Sequence, residues 1–359
     1  MNMKVMIAAG GTGGHIYPAM ALAAVLKQKH PDSEILFFGS QNHMEASVIP
    51  NAGYPFYGLK MSGMTSGINA KVRSAVSLIK AERYCMKLLK DVKPDLCVGF
   101  GNYISVPLIR AAHRLHIPTM IHEQNSFAGK ANRFVANIAD AVVTCYESNR
   151  AQMPKANIRL LGNPEATLAA RTEWDPQILR DLGLDPEIPF VVFMMGSLGS
   201  STVSQVIDEA CGLFDPTFQV VIAAGKDNDY TFRTPSEGKI RIVPYVDGKA
   251  MLKGCALAVT RAGATTMAEI GAIGCAAILI PSPYVQNNHQ VYNALELVRR
   301  DAAVMIEEKD LTAEKLATEV NRLMNDKERC RSIREHAYEA GYREAADDMI
   351  LWMEDLINE

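Results

Sequence analysis

The chain has 359 residues, a length that suits two domains of roughly 150–200 residues each better than one. Hydrophobic residues make up 48% of the chain and charged residues 21%, which is typical of a globular protein and not of a disordered or fibrous one. The formal net charge is -3, so the overall charge gives no reason to expect a nucleic-acid partner.

The seven cysteines and the lengths of the apolar runs limit the cellular compartments in which we expect the protein. The cysteine count is odd, the positions are scattered, and no CxxC or Cys/His cluster occurs. Most of them, such as Cys97, lie in apolar stretches, which predicts buried thiols in a reducing compartment rather than disulfides or zinc ligands. The N-terminal apolar run at 3–9 is too short for a signal peptide, and no run reaches the length of a membrane span. We therefore expect a protein that is soluble or lies on a membrane surface.

Short apolar runs alternate with helical patterns along the whole chain. The strand candidates are residues 4–9, 34–39, 96–99, 118–122, 141–144, 190–195, 218–223, 240–243, 256–260, 276–280 and 303–306. The helix candidates include residues 17–29, 70–90, 130–138, 264–273 and 287–298. This alternation predicts an α/β fold with parallel sheets, and the continuously apolar strands are typical of strands buried on both faces.

A unit of strand, glycine loop and helix occurs twice, at residues 4–29 and 190–212. The intervening residues 162–189 are rich in Pro, Asp and Gly, as a domain boundary often is. We therefore predict two Rossmann-like domains. The first comprises residues 1–163 together with a C-terminal helix at 341–359, and the second comprises residues 164–340.

Residues 10–15, GGTGGH, lie between the first predicted strand and the first predicted helix. Glycines there allow positive φ and a close approach of backbone to ligand, and the start of the helix offers N–H groups to a phosphate. A dinucleotide fingerprint would need glycine in place of Ile16 and an acid at the end of the second strand, where Gly39 and Ser40 stand. The loop therefore predicts a phosphate site that does not bind NAD. The alternative is a turn that only packs the strand on the helix.

His15 begins that helix, beside the predicted phosphate site. A neutral imidazole in this place can accept a proton from an attacking hydroxyl. His15 is therefore the residue that we expect to act as a general base, with a purely structural histidine as the alternative.

Two further segments follow strands, at the sheet edge where α/β proteins bind ligands. Residues 99–103, GFGNY, form a second glycine turn. Residues 122–125, HEQN, place four polar side chains after the next strand. We interpret the second segment as part of a site, and the alternative is a hydrogen-bonded turn.

The second half of the chain contains a similar arrangement. Residues 261–269, RAGATTMAE, follow a strand and open a helix with small residues, so the helix N-terminus can face a pyrophosphate. Glu269 lies further along this helix and is suited to accept hydrogen bonds from two ribose hydroxyls, unless it is a solvated helical carboxylate. Residues 281–290, PSPYVQNNHQ, form a polar loop that we expect to contact sugar hydroxyls.

Two charged segments have more than one interpretation. Residues 227–229, DND, match a metal-binding DxD pattern, but they follow Gly-Lys in an expected surface turn, so we predict no metal site there. Residues 71–90 contain six basic residues and one acidic residue among apolar ones. Such a helix either lies on an anionic membrane surface or exposes a solvated face while its apolar side packs on the core.

Together these segments resemble the MurG family, the UDP-N-acetylglucosamine:N-acetylmuramyl-(pentapeptide) pyrophosphoryl-undecaprenol N-acetylglucosamine transferases. The resemblance runs from the first strand to the last helix, and it depends on the order and spacing of the motifs rather than on any single one. Besides the segments above it includes Pro18, Met44-Glu45-Ala46, Gly162-Asn163-Pro164, and Asn288-His289-Gln290 with Asn293-Ala294.

The resemblance implies a GT-B fold, in which two Rossmann-like domains face a central cleft. It implies that the C-terminal domain binds the UDP-sugar and that the N-terminal domain meets the lipid-linked acceptor. The implied donor-binding residues are Thr12, Gly13, Gly14, Asn125, Ser197, Val246, Ala264, Thr265, Thr266, Met267, Ala268, Glu269, His289 and Gln290. Gln290 is expected at the donor sugar, and Glu123 is a second catalytic candidate after His15.

The chain departs from the family pattern at three places. The third glycine loop has Met195 and Leu198 where the family has glycine and glutamine, and the second loop has Asn102 and Val106 where glycine is common. Ala166 stands where the family often carries an arginine near the phosphates. Arg261 is the cation that we expect to replace that arginine.

The activity implied by the resemblance is an inverting transfer in peptidoglycan biosynthesis. The 4-hydroxyl of undecaprenyl-pyrophosphoryl-N-acetylmuramyl-pentapeptide (lipid I) would attack the anomeric carbon of UDP-N-acetylglucosamine to give lipid II. Helix N-termini and glycine-loop N–H groups would stabilise the departing pyrophosphate, with no metal or other cofactor expected. We expect a peripheral protein at the cytoplasmic face of the cell membrane. The alternatives are a UDP-sugar transferase acting on another lipid, a UDP-N-acetylglucosamine 2-epimerase of the same architecture, and a non-enzymatic membrane-bound scaffold.

Overall fold

The computed structural model describes residues 2–60, 68–196, 199–226 and 228–359. The chain forms two compact units. The first comprises Met1–Thr167 together with Glu344–Glu359, and the second comprises Leu168–Arg343. The chain therefore returns to its first unit after completing the second.

The first unit contains a parallel sheet of seven strands among its described residues. In chain order they are β1 (Lys4–Ala8), β2 (Glu34–Ser40), β3 (Phe56–Leu59), β4 (Leu96–Gly99), β5 (Thr119–Glu123), β6 (Ala141–Thr144) and β7 (Ile158–Leu160). Their spatial order is β3-β2-β1-β4-β5-β6-β7, so the direction of winding reverses between β1 and β4. The carboxyl ends of these two strands therefore border the crevice in which such sheets bind ligands.

The second unit contains a parallel sheet of six strands in the part of the chain that the structure describes. They are β8 (Phe190–Met194), β9 (Gln219–Ala223), β10 (Ile240–Val243), β11 (Leu257–Thr260), β12 (Ala277–Leu279) and β13 (Val304–Met305). The spatial order is β10-β9-β8-β11-β12-β13, and the winding reverses between β8 and β11. The loops that follow these two strands are therefore neighbours.

Most helices lie between strands in sequence, and the last three follow β13. The helices are α1 (Gly13–Lys29), α2 (Glu45–Asn51), α3 (Ile68–Val92), α4 (Asn102–Arg114), α5 (Lys130–Val135), α6 (Asn149–Gln152), α7 (Pro164–Arg171), α8 (Gln177–Asp181), α9 (Ser201–Ala210), α10 (Gly248–Gly254), α11 (Ala264–Ile273), α12 (His289–Val298), α13 (Ala313–Asn325), α14 (Lys327–Glu339) and α15 (Ala345–Asn358). The unit boundary falls within α7, and α15 packs against α1.

Each unit has a core between its sheet and its helices. In the first unit, Met6 and Cys97 of the sheet pack with Leu89 of α3. In the second unit, Phe193 of β8 packs with Leu316 of α13. The central strands are buried along their length, as continuously apolar strands covered on both faces should be. The α/β fold with two parallel-sheet domains is thereby confirmed.

Every strand predicted from the sequence is present, but two strands, β3 and β7, were not predicted. Both are edge strands of the first sheet and are only partly buried. Gly58 interrupts β3, and β7 carries the exposed Arg159, so neither strand shows the continuous apolar run that identifies a central strand.

Four of the five helix candidates differ from the prediction in their bounds: α3 is two residues longer at each end, and α5 ends at Val135 rather than at 138. Helix α1 begins at Gly13 rather than at 17, because Thr12 adopts the extended N-cap conformation and the two glycines are helical. Helix α12 begins at His289 rather than at 287, because Asn287 and Asn288 have φ angles of 54° and 52°. Helix α11 has the predicted bounds.

All seven cysteines are free thiols. The buried ones, as predicted, are Cys85, Cys97, Cys211, Cys255 and Cys275, whereas Cys145 and Cys330 are partly exposed. Within the described ranges, no helix combines the length and the apolar character needed to cross a membrane. The same ranges contain no group of three or more His, Cys, Asp or Glu side chains placed to hold a metal ion.

Candidate functional site

The glycine loop between β1 and α1 has a backbone shape that only glycine fits at its centre. Gly11 has a φ of 88°, and a Cβ atom there would lie 1.9 Å from Nδ2 of Asn102. Thr12 is the extended N-cap residue, with a φ of -145°. Since the first N–H groups of a helix have no partners within the helix, this loop has the arrangement that binds anions elsewhere.

Glu45 is a fully buried carboxylate that supports the same loop from α2. Its Oε2 accepts a hydrogen bond from the backbone N–H of Gly11 at 3.1 Å, and its Oε1 accepts one from Ser40 at 3.0 Å. A Cβ atom on Gly10 would come within 2.4 Å of Oε1. The sequence identified Glu45 only as part of a family motif, and its function in holding the loop was missed.

Asn102 adopts a conformation that glycine usually provides. Its φ is 61°, its Nδ2 donates to the carbonyl of Gly10 at 3.1 Å, and its Oδ1 accepts from the N–H of Tyr103 at 2.6 Å. Asparagine is among the few residues that tolerate this left-handed region. Asn102, in the place of the family glycine, therefore keeps the backbone shape, and its side chain links the loop after β4 to the loop after β1.

His15 lies in the first turn of α1, partly buried. Its Nδ1 is 2.9 Å from the hydroxyl of Thr12. When Nδ1 carries the proton and donates it to that hydroxyl, Nε2 is the basic nitrogen of the neutral ring. The ring also lies against Gly101, where a Cβ atom would be 3.4 Å from Nε2. The geometry thus orients the ring through Nδ1, and the assignment of His15 as a general base stays a prediction.

Glu123 ends β5 as a buried carboxylate surrounded by donors. Its Oε1 accepts from the N–H of Asn125 at 3.0 Å, and its Oε2 accepts from Gly129 at 2.9 Å and from Nδ2 of Asn132 at 2.8 Å. Burial raises the pKa of Glu123, and these hydrogen bonds act in the opposite direction. The contacts give Glu123 a structural function in the loop before α5, and its catalytic assignment stays a prediction.

The remaining residues of the 122–125 segment are partly structural. His122 is buried against the ring of Phe100, and its Nε2 lies 3.0 Å from the carbonyl of Gly162. Burial lowers the pKa of His122 to about 4, so the ring is neutral near pH 7. Gln124 donates to the carbonyl of Phe100 at 2.8 Å. Asn125 is the one residue of the four that is partly exposed, and its assignment to a binding site stays a prediction.

In the second unit, Glu269 lies on α11, whose N-cap is Gly263. Its Oε1 is 3.8 Å from Nζ of Lys249, and the two side chains are 13% and 29% exposed. Lys249 is positioned by Asp247, which caps α10 and accepts from the N–H of Lys249. The sequence analysis missed Lys249, because its proximity to Glu269 depends on the packing of two helices.

The other predicted donor residues of this unit lie near α11 or outside the described ranges. The first turns of α11 contain Ala264, Thr265, Thr266, Met267 and Ala268, of which Met267 is buried and the others are partly buried. Val246, partly exposed, precedes α10. Ser197 and Leu198 lie outside the described residues.

Arg261 follows β11 and is largely enclosed by hydrogen-bond partners. Its Nη1 donates to Oε2 of Glu308 at 2.6 Å and to the carbonyl of Ile280 at 3.1 Å, and its Nη2 donates to Oγ of Ser200 at 2.8 Å. Ala166, the residue in the place of the family arginine, is buried. The assignment of Arg261 as the phosphate-binding cation stays a prediction, and it must account for an ion pair that already neutralises the guanidinium.

The start of α12 connects the loops that follow β11 and β12. Oε1 of Gln290 accepts from the N–H of Ser282 at 2.8 Å, and Nδ2 of Asn293 donates to the carbonyl of Ala262 at 3.3 Å. His289, the first residue of α12, is partly buried. These contacts hold the polar 281–290 loop beside the N-terminus of α11.

The loop after β8 also depends on glycine. Gly196 and Gly199 have φ angles of 88° and 74°, and a Cβ atom on Gly199 would lie 2.5 Å from the carbonyl oxygen of Ala224. In the DxD segment, Asp227 lies outside the described residues. Nδ2 of Asn228 donates to the carbonyl of Ala224 at 2.9 Å, so this side chain is structural.

Two family models match the chain. The glycosyltransferase family 28 N-terminal domain matches residues 5–144. The glycosyltransferase family 28 C-terminal domain matches residues 190–349. The first match lies within the first unit, and the second spans most of the second unit and the start of α15, which belongs to the first unit.

The chain is similar over nearly its whole length to curated UDP-N-acetylglucosamine--N-acetylmuramyl-(pentapeptide) pyrophosphoryl-undecaprenol N-acetylglucosamine transferases. It is 36% identical over 356 residues to that of Limosilactobacillus fermentum, covering 97% of each chain. It is 34% identical over 360 residues to that of Exiguobacterium sp., covering 99% of this chain and all of the other.

Solved structures with the same fold include MurG of Acinetobacter baumannii, with a TM-score of 0.76 at 24% identity over 99% of this chain and 100% of that one. They also include the UDP-GlcNAc 2-epimerase of Neisseria meningitidis bound to UDP-GlcNAc, with a TM-score of 0.65 at 13% identity over 98% of this chain and 100% of that one. These structural similarities confirm the GT-B fold class. At identities of 24% and 13% they support no conclusion about activity.

Proposed function

Because this chain belongs to glycosyltransferase family 28, we propose that it transfers N-acetylglucosamine from UDP-N-acetylglucosamine to undecaprenyl-pyrophosphoryl-N-acetylmuramyl-pentapeptide. The observation that carries this proposal is the identity of 34–36% to curated transferases of that name over at least 97% of the chain. The likeness to a 2-epimerase is a likeness of fold at 13% identity, so it does not favour the epimerase alternative.

The donor nucleotide is proposed to bind the second unit at α11. The small residues that open this helix allow a pyrophosphate to approach its N-terminal N–H groups. Glu269, partly exposed on the same helix, is suited to accept hydrogen bonds from the ribose hydroxyls. Lys249, 3.8 Å away, restricts the position of this carboxylate.

The loop after β8 supports the same placement. β8 and β11 are adjacent in the sheet, so Gly196 and the N-terminus of α11 follow neighbouring strands. Negative charge develops on the pyrophosphate as its bond to the sugar breaks. Fixed N–H dipoles that face this charge stabilise the transition state without any rearrangement during the reaction.

In the first unit, His15 is the proposed general base. As the 4-hydroxyl of the acceptor attacks the anomeric carbon, its proton passes to Nε2 of His15, while Thr12 holds the ring through Nδ1. The bond between the anomeric carbon and the β-phosphate oxygen breaks on the opposite face. The configuration therefore inverts, through a transition state with the oxocarbenium character common to glycosyl transfer.

The basic helix α3 supports a membrane-facing surface on the first unit. Its exposed basic side chains, spaced three or four residues apart along one face, are Lys80, Arg83, Lys87 and Lys90. Glu82, the one acid of residues 71–90, is buried and forms ion pairs with Arg110 and Arg114 of α4. This part of the face therefore presents basic side chains, which attract anionic lipid.

Apolar side chains are exposed on the same part of the unit. Val76 and Ile79 of α3 are 46% and 51% exposed, and Phe134 of α5 is 57% exposed. A helix that exposes both basic and apolar side chains is typical of proteins that lie in a membrane interface, whereas a merely solvated face needs no apolar residues. With an acceptor on a polyprenyl lipid, we place the protein peripherally at the cytoplasmic face of the cell membrane.

The proposal is tested by mixing the purified chain with UDP-N-acetylglucosamine and a short-chain lipid I analogue. We expect a disaccharide-linked lipid and one UDP for each acceptor consumed, with a β-linkage by NMR from the α-linked donor. Isomerised amino sugar without acceptor glycosylation would instead identify an epimerase. No turnover of either kind, with UDP still bound, would contradict the proposal.

A further inference from the structure

Two thiols of the second unit are in direct contact at a place that the proposed transfer reaction does not use. The Sγ atoms of Cys255 and Cys275 lie 3.5 Å apart, and both side chains are buried. Cys255 directly follows α10, and Cys275 follows Gly274, which ends α11. Packed helices therefore fix the backbone on both sides of the pair.

The surroundings make the two thiols chemically unequal. The hydrogen bond from the Cys255 thiol lowers the pKa of Cys275, and the nearby Arg334 acts in the same direction. Burial raises the pKa of Cys255. Because the thiolate is the reactive form, Cys275 is the sulfur that first attacks the oxidant and Cys255 is the sulfur that resolves the product.

We propose that Cys255 and Cys275 are an oxidative modification site, at which a peroxide converts the contacting thiols of the folded protein into a disulfide. Cys275 sulfur takes one oxygen of hydrogen peroxide as the O–O bond breaks, which gives a sulfenic acid and water. Cys255 sulfur then attacks the sulfur of Cys275, the S–O bond breaks, and the hydroxyl leaves as water with the proton of Cys255. Two thiols and one peroxide thus give one disulfide and two waters.

The geometry requires little movement. A disulfide has an S–S length of about 2.05 Å, so the two sulfurs, now 3.5 Å apart, must approach by about 1.5 Å to form one. Cys330 lies nearby on α14, with its Sγ 3.5 Å from the carbonyl oxygen of Ala256, and is partly exposed. Cys255 and Cys275 themselves are buried, so the oxidant must be small and neutral, such as hydrogen peroxide, and must reach them through fluctuations of the folded chain.

Cys85 and Cys97 provide an internal control in the first unit. Both are buried in the same core cluster, and burial raises the pKa of each thiol. No arginine lowers the pKa of either thiol as Arg334 lowers that of Cys275. They are therefore expected to remain reduced under conditions that oxidise Cys255 and Cys275.

The test is peptide mapping of the intact, folded chain after treatment with hydrogen peroxide. The remaining thiols are alkylated in urea, and the chain is digested without reductant. We expect a Cys255–Cys275 cross-linked peptide, loss of two alkylatable thiols, and full reversal by dithiothreitol. Cys97→Ser should keep this cross-link, and Cys275→Ser should lose it.

Other mapping results would overturn the proposal. One is a cross-link from Cys330 in place of one partner, and another is a mixture of pairings like that of the urea-unfolded chain. The proposal would also be overturned if the thiols of Cys255 and Cys275 were retained to the same extent as those of Cys85 and Cys97. The wild-type map decides the matter even where a cysteine variant fails to fold, and it does not depend on whether the chain turns over any substrate.

Discussion

Arg261 and Glu308 form an ion pair of 2.6 Å in which each side chain is only 11% exposed. The pair lies where the sheet of the second unit reverses its winding, and Arg261 also reaches Ser200 of the loop after β8. The guanidinium thus connects the two loops that we propose to hold the pyrophosphate. Its charge is available to a phosphate only in competition with Glu308.

Changing the two partners separately distinguishes a phosphate-binding Arg261 from a structural one. We expect Arg261→Ala to weaken UDP binding by about tenfold or more, since a hydrogen bond to a charged group contributes roughly 1.5–3 kcal/mol. Glu308→Gln should leave UDP affinity unchanged or increase it, because it releases the guanidinium from its counter-charge. Calorimetric titration with UDP measures both. Unchanged UDP affinity in Arg261→Ala would show that the ion pair is only structural.

The contact between His15 and Thr12 leads to a prediction about the base. His15→Ala should lower kcat by roughly 10²–10⁴, the usual contribution of a general base, with little effect on UDP affinity. Thr12→Ser retains a hydroxyl at the same place and should keep most of the rate, which makes it the matched control. The measurement is steady-state turnover of a lipid I analogue. A near-normal kcat in His15→Ala would remove His15 from the mechanism.

The proximity of Lys249 to Glu269 predicts a graded effect on donor binding. Glu269→Ala should raise KM for UDP-N-acetylglucosamine with kcat largely retained, because a ribose contact is made equally in the ground and transition states. Lys249→Met should raise KM by a smaller factor, since it only leaves the carboxylate less restrained. Lys253→Met, on the same helix, serves as the control. If Glu269→Ala lowers kcat and leaves KM unchanged, the ribose assignment is wrong.

The sequence predicted those parts of the molecule that depend on local pattern. The apolar run at 190–194 predicted a central strand, and residues 10–15 predicted a glycine loop followed by a helix, because neighbours in the chain determine both. Edge strands such as Phe56–Leu59 were missed because half-burial leaves no continuous apolar run.

The supports of the site were missed for a different reason. Glu45 and Asn102 hold the first glycine loop through hydrogen bonds to residues 34 and 92 positions away in the chain. No local pattern contains such a contact, since it exists only after β1, β2 and β4 have come together in the sheet. The same holds for Lys249 beside Glu269, which depends on the packing of α10 against α11.

The basic face of α3 predicts binding to anionic membranes. Reversing two charges in Lys80→Glu with Arg83→Glu should weaken binding to phosphatidylglycerol vesicles by roughly 2 kcal/mol or more, at about 1 kcal/mol per basic residue near the surface. Vesicle sedimentation at low and high salt measures the effect, which should shrink as salt screens the charges. Lys315→Glu with Lys327→Glu, exposed on the second unit, is the control. Equal binding by both double variants would favour a solvated face.

His122 predicts a pH dependence of stability. Burial lowers its pKa to about 4 in the folded chain, from an ordinary value of 6.5. Between these values the unfolded chain binds a proton that the folded chain does not, so the free energy of unfolding falls as the pH is lowered. The stabilisation is fully present above about pH 6.5 and is lost by about pH 4. Its size is on the order of 3 kcal/mol, measured by urea unfolding at a series of pH values.

The variant His122→Gln isolates this contribution. Glutamine keeps an N–H donor for the carbonyl of Gly162 but does not titrate, so we expect a shallower fall in the free energy of unfolding between pH 6.5 and 4. The neighbouring Glu123 acts in the opposite direction, because burial raises its pKa and the folded chain then binds the extra proton. The difference between wild type and variant removes that contribution, and the exposed His113→Gln should change nothing. An undiminished slope in His122→Gln would assign the pH dependence to other groups.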